Sequence, residues 1–189
     1  MAIVKAYLKS TAPYSPSKKV TVEAKPKESA EDFEKRTWRA KAHVNSDGFI
    51  EMPPMGFKLS IAEAARFISM GIPGKGKSTY TKHFRAGVLV DTPLVLPVKQ
   101  EEVSSEWLFL PNPGSMGGTR VMKCFPIIHA WEGEVTYYIL DQTITKPVFE
   151  EHLREAGKFI GLGRFRPING GFYGRFIVED LEWMDDPAR

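Results

Sequence analysis

A single cysteine, Cys124, leaves the chain no intramolecular disulfide and no cysteine-built zinc cluster. Flanked by Lys123 and Phe125 in a β-rich run, it fits a packed thiol better than a nucleophile. The histidines, His43, His83, His129 and His152, have no metal-ligand spacing, and neither an HExxH motif nor a carboxylate pair suited to hydrolysis occurs. No metal, no cofactor and no catalytic residue are therefore expected. No apolar run approaches the roughly 20 residues of a membrane span, and the opening MAIVKAYLKS alternates apolar with basic or polar residues instead of building a signal-peptide core. The expectation is a cytoplasmic protein without a membrane partner. Low-complexity tracts and repeats are also missing, so 189 residues fit one domain, 1–189, with a substantial core.

Acidic residues are missing from two particular stretches. The net charge is only +3, but residues 1–90 carry 16 Lys/Arg against 8 Asp/Glu, while 91–189 carry 10 against 15. No acid falls between Glu63 and Asp91, where Arg66, Lys75, Lys77, Lys82 and Arg85 lie. None falls between Glu155 and Glu179, which holds Lys158, Arg164, Arg166 and Arg175. Such windows make a positive field at modest net charge, though a pair of solvated basic loops gives the same pattern.

Ile3–Leu8 reads as a strand and runs into the Ser/Pro turn STAPYSPSKK. Glu28–Lys41 is rich in helix-favouring residues, and His43–Pro53 is extended about a turn at Asp47-Gly48. In Lys58–Ser69, Ile61, Ala64, Ala65 and Ile68 mark the buried face of a helix. Residues 70–118 read as an inserted excursion rich in Gly, Pro and basic residues, with extended pieces at Gly87–Val90 and Trp107–Leu110. Arg120–Ile128 and Glu134–Leu140 predict a hairpin turning at Glu132-Gly133. Thr145 N-caps a helix over Lys146–Ile160, with Pro147 tolerated in its first turn, and Phe176–Trp183 is the last strand. Without the insertions the order is strand, helix, strand, strand, helix, strand. This predicts an α+β, ferredoxin-like (RRM-like) βαββαβ core with long insertions.

Gly71-Ile72-Pro73-Gly74-Lys75-Gly76-Lys77-Ser78 matches the Walker A pattern, and Tyr137–Asp141 resembles a Walker B run. A phosphate-binding loop needs a buried strand before it and a helix after it. Here a helix precedes the loop, and the β-branched TYTKHF that follows is a poor helix start. A P-loop hydrolase or kinase using Lys77, Ser78 and Asp141 is therefore the alternative, and a flexible basic loop touching phosphates is preferred.

Residues 156–178 hold six glycines, four basic residues, five Phe or Tyr and no acid, in GKFIGLGRFRPINGGFYGR and its continuation. Glycines admit close backbone approach, arginines bind phosphate bidentately, and aromatic rings stack on unpaired bases. The expected nucleic-acid contacts are Lys158, Arg164, Arg166 and Arg175, with Phe172 and Tyr173 as stacking candidates. A second set comprises Lys58, Lys75, Lys77, Lys82 and Arg85. Phe159, Phe165 and Phe176 taken singly fit core positions.

The helix, the glycine loop GLGR, then NGGFYGRF and a strand resemble the C-terminal signature of the RAMP superfamily, the ferredoxin-like RNA-binding subunits of CRISPR effector complexes. Phe49–Lys58, FIEMPPMGFK, is similar to the family's strand, proline turn and basic helix start. The resemblance implies a single strand, RNA before DNA, held across sheet and loops by copies side by side, with other effector subunits as possible partners. Stand-alone phage or mobile-element relatives, and a protein that mimics or blocks such a subunit, stay open as readings. Some members cleave RNA with an acid after the first strand. Asp32 lies broadly there, but its helical setting marks it as a surface residue.

Overall fold

The computed structural model describes residues 1–111 and 120–184. In chain order its elements are β1 (Ala2–Ser10), α1 (Ala30–Thr37), β2 (His43–Val44), β3 (Phe49–Met52), α2 (Pro54–Ile68), α3 (Thr81–Gly87), β4 (Val88–Leu89), β5 (Leu94–Lys99), β6 (Ser104–Pro111), β7 (Arg120–Ile127), β8 (Glu132–Ile139), α4 (Lys146–Glu155) and β9 (Phe176–Met184). A 3-10 turn, Trp38–Lys41, extends α1, and a π-helical turn, Ala156–Ile160, extends α4.

Alternation along β1 sends Val4, Ala6 and Leu8 into the core and Lys5, Tyr7 and Lys9 to the opposite face. That strand is central in an antiparallel sheet of order β4-β8-β1-β9. With α2 between β1 and β4, and α4 between β8 and β9, the core is β1-α2-β4-β8-α4-β9. This is the ferredoxin-like βαββαβ arrangement of an α+β fold. Phe57, Ile61 and Ala64 of α2 and Phe149 and Leu153 of α4 share one apolar cluster with Val4, Leu8, Val135 and Tyr137. Two smaller sheets, β2-β3-β5 and β6-β7, complete the molecule.

Local chemistry accounts for the helix ends. Ser29 caps α1 by accepting from the Asp32 N–H at 3.1 Å, with acids in the first turn and bases in the last. Helix α2 begins at Pro54, four residues before the expected Lys58, because a proline in the first turn forfeits no helical hydrogen bond. Thr145 holds the N-cap position of α4 without a side-chain bond.

The expected hairpin of Arg120–Ile128 with Glu134–Leu140 does not form. Strand β7 pairs with β6 over eight positions, from Ser104↔Ile127 to Pro111↔Arg120, and β8 lies between β1 and β4. Gly133, taken as turn, is inside β8, where a Cβ would meet Leu94 Cδ1 at 2.5 Å. The second strand of the core is instead β4, only two residues long.

As far as Val103 the predicted excursion packs into the body. Ile72, Tyr80, Phe84, Val88, Val90, Leu94, Leu96 and Val103 are buried in the shared cluster. Residues 112–118 of that window lie outside the described residues. Segment Thr79–Phe84, expected to be a poor helix start, enters the seven-residue α3, whose Phe84 stacks against His152 at 4.3 Å.

Candidate nucleic-acid interface

The glycine-rich segment folds tightly onto the chain that leaves β1. Arg164 N–H donates to the Ser15 carbonyl at 2.8 Å, Gly174 N–H to Pro13 at 2.6 Å, and Thr11 N–H to Arg175 at 2.9 Å. Gly163, at φ +72°, lies so close that a Cβ would stand 2.5 Å from the Ser15 oxygen. Close approach at this position therefore serves the fold, where the sequence had suggested approach to a sugar-phosphate chain.

This contact delivers Arg164 to a cluster the sequence did not reveal. Its guanidinium lies 4.2 Å from the centroid of Phe125, and Lys41 Nζ lies 4.5 Å from the same ring. Lys41 donates to Glu34 at 2.5 Å and to the Cys124 carbonyl at 2.7 Å, while Lys123 donates to the other Glu34 oxygen at 2.9 Å. The Cys124 N–H adds a bond to Glu34 at 3.1 Å. Lys41, Lys123 and Arg164, with exposed Lys18 and Lys19, line a cavity of about 340 Å³ whose one acidic lining residue among the described residues is Glu34.

The electrostatics are lopsided. Burial pushes the Glu34 pKa up, but the bonds from Lys41, Lys123 and Cys124 outweigh it and hold the carboxyl below its ordinary value. Burial pulls the Lys41 pKa down, and Glu34 does not fully offset it because Arg164 and Lys123 add like charge. Arg164 is likewise lowered by burial, and its Nε has no hydrogen-bond partner among the described residues. One carboxylate pairs with Lys41 and Lys123 while Arg164 stands beside them with no ion pair among the described residues, and the surplus charge is positive.

The other expected contacts are dispersed. Lys158 pairs with Glu155 at 2.8 Å. Arg166 is half-buried before a 3-10 turn, Pro167–Asn169, and Arg175 is exposed. Phe172 is exposed and suits stacking. Tyr173 does not: it is buried, its hydroxyl donates to Glu106 at 2.5 Å, and burial followed by that bond pushes its pKa up to about 12. In the second set, Lys58 Nζ donates to the Arg85 carbonyl at 2.8 Å, and both residues border a groove with Arg66. Lys75, Lys77 and Lys82 are exposed. Among the described residues no hydrogen bond, ion pair or ring contact joins this second set to Arg164.

The Walker-like loop is closed by its own backbone. Ile72 N–H donates to Ser78, Lys75 N–H to Ile72, and Ser78 N–H to Lys75, at 2.8 to 3.1 Å, while Gly71 bridges Thr79. Helix α2 precedes it, so the strand–loop–helix cradle is not built. Asp141 accepts from the Thr143 N–H at 2.8 Å and contacts His83 Nδ1 at 2.6 Å.

The open face of the main sheet is acidic. Glu132 and Glu134 of β8 lie there with Glu179, Asp180 and Glu182 of β9; Lys5 pairs with Glu134 at 3.1 Å, and Lys9 with Glu132 and Glu179 at 3.7 and 3.4 Å. RNA-recognition domains present stacking aromatics on this face. Here its negative charge opposes a phosphate chain, which shifts the candidate interface from the sheet to the loops.

Lys41, Lys123, Lys18, Lys19, Glu34 and Phe125 were missed from sequence. The signal available was a lysine inside a strand otherwise rich in apolar residues, VMKCFPII, since a cation there needs a buried partner.

The βαββαβ core and the loop-borne cations define a ferredoxin-like α+β protein with a basic pocket beside its glycine loop. Among solved structures, a chain of the type III-B Cmr-beta complex, seen by cryo-electron microscopy with cognate target RNA bound, shares this fold at a TM-score of 0.57 and 12% identity. The match covers 97% of this chain and 61% of that one, so this chain spans about three fifths of its neighbour's length. No protein-family model and no curated protein matches. Among the described residues no helix is long and apolar enough to cross a membrane, and no three His, Cys, Asp or Glu are grouped to hold a metal ion.

Proposed function

We propose that the chain is a non-catalytic, RAMP-type binder of single-stranded nucleic acid, RNA in preference to DNA, which associates with further copies along the strand. The observation that carries this reading is the pocket in which Arg164 stands beside Lys41 and Lys123, both paired with the single carboxylate of Glu34, next to exposed Lys18 and Lys19. A surplus of partly desolvated cations at a concave surface favours a phosphate chain. The neighbour of like fold comes from an RNA-bound complex, which supports RNA over DNA and other effector subunits as partners. Nucleotide hydrolysis is the weaker reading, because helix α2 and not a buried strand leads into the Walker-like loop.

The test is a gel-shift titration of the purified protein with single-stranded RNA, single-stranded DNA and duplex of one sequence. Single strands, RNA first, are expected to bind tightest. Equal affinity for the duplex would remove the proposal.

A further inference from the structure

We propose that the Arg164 pocket seats a terminal phosphate monoester, so that the protein holds the end of a strand and not only its interior. This rests on the strand-binding reading and narrows its ligand.

Charge and donor count point to the monoester. The Glu34 carboxylate accepts from Lys41, Lys123 and the Cys124 N–H and makes no ion pair with Arg164 among the described residues, so one negative charge stands against three positive ones. The floor of the cavity therefore keeps an excess of two positive charges before Lys18 and Lys19 at the rim are added. An internal phosphodiester brings one negative charge and two free oxygens. A terminal monoester brings about 1.5 to 2 charges and three strong acceptor oxygens, which match that excess. The Arg164 Nε–H, buried and unpartnered among the described residues, is a donor left for such an oxygen. Phe33, Val20 and Leu110 add apolar lining against which one terminal nucleotide can pack. Burial disfavours the charged forms of Lys41 and Arg164, a cost that a bound dianion relieves.

Short RNA strands of one sequence, bearing 5′-phosphate, 3′-phosphate or hydroxyl at both ends, are compared by fluorescence anisotropy at fixed salt. One of the two phosphorylated strands is expected to bind at least about tenfold tighter than the hydroxyl strand, the gain typical of charge-assisted hydrogen bonds. Arg164→Gln and Lys123→Gln should each erase most of that difference while leaving weaker strand binding. On the parent protein, ³¹P NMR should show the second ionisation of the terminal phosphate shifted to lower pH in the complex, a readout that needs no variant. A nucleoside monophosphate alone should compete weakly; competition as strong as the whole strand would make the ligand a free nucleotide and overturn strand-end binding. Equal affinity for phosphate and hydroxyl ends in the parent would overturn this inference and leave strand binding standing. Failure of every strand to bind at low salt would remove both.

Discussion

Glu34 organises the basic pocket from a position with almost no exposure. It accepts from Lys41, Lys123 and the Cys124 amide, and so ties α1 to β7. Glu34→Ala strands Lys41, which is only 9% exposed, without its carboxylate. Breaking such a pair is expected to cost about 3–5 kcal/mol in urea unfolding, while Lys123→Ala, at the wetter end, should cost about 1 kcal/mol or less. The pH dependence has a definite sign. The folded pKa of Glu34 lies below its ordinary 4.5, so its contribution is complete above that pH and is lost as pH falls through the lower folded value. Melting temperature should therefore drop on acidification below pH 4.5 in the parent and much less in Glu34→Gln. The glycines divide in the same way. Gly163→Ala meets Ser15 and Tyr14, whereas Gly170→Ala, also at positive φ, meets nothing within 4 Å. The second should cost about 1–2 kcal/mol for the left-handed backbone and the first clearly more, as thermal melts would report.

At the scale of elements, periodic segments and short extended pieces are legible and long-range pairings are not. Strands β1, β8 and β9 and helices α2 and α4 follow from β-rich runs and helical spacing, and they are five of the six core elements. Strand β4 lies within Gly87–Val90, read as an extended piece of the excursion, and its place at the edge of the core sheet comes from pairing with β8. The hairpin was misplaced because Glu132-Gly133 has turn chemistry, while the need for a missing side chain against Leu94 is a tertiary fact. The pocket was illegible for a related reason: Lys41 meets Cys124 across 83 positions and Glu34 meets it across 90. Only Arg164, announced by its glycine neighbours, was visible in advance. The Gly71–Thr79 loop gives an element-scale prediction. No strand delivers it, and Ile72, Lys75 and Ser78 donate their N–H groups within it, so the parent should show no ATP or GTP turnover and Lys77→Ala should change nothing. Turnover in the parent that Lys77→Ala abolishes would reinstate the P-loop reading.

Across the whole molecule, charge is segregated between an acidic sheet face and basic loops and pocket. A phosphate chain is expected to follow the basic side, and longer strands should recruit more copies, read as stepwise mass increments on oligonucleotides of increasing length. One copy at every length would confine the protein to a single site per strand. The central claim is that the glycine-loop arginines contact phosphate, and the salt dependence of binding tests it most directly. Dissociation constants for single-stranded RNA would be measured across a salt series for the parent and for Arg164→Ala with Arg166→Ala, with melting curves confirming that both are folded. The parent should weaken steeply with salt, and the folded double variant should bind more weakly, with a logarithmic salt slope shallower by roughly 1.4, the share of two phosphate contacts on a single strand. A folded double variant with the parent's affinity and slope would contradict the account.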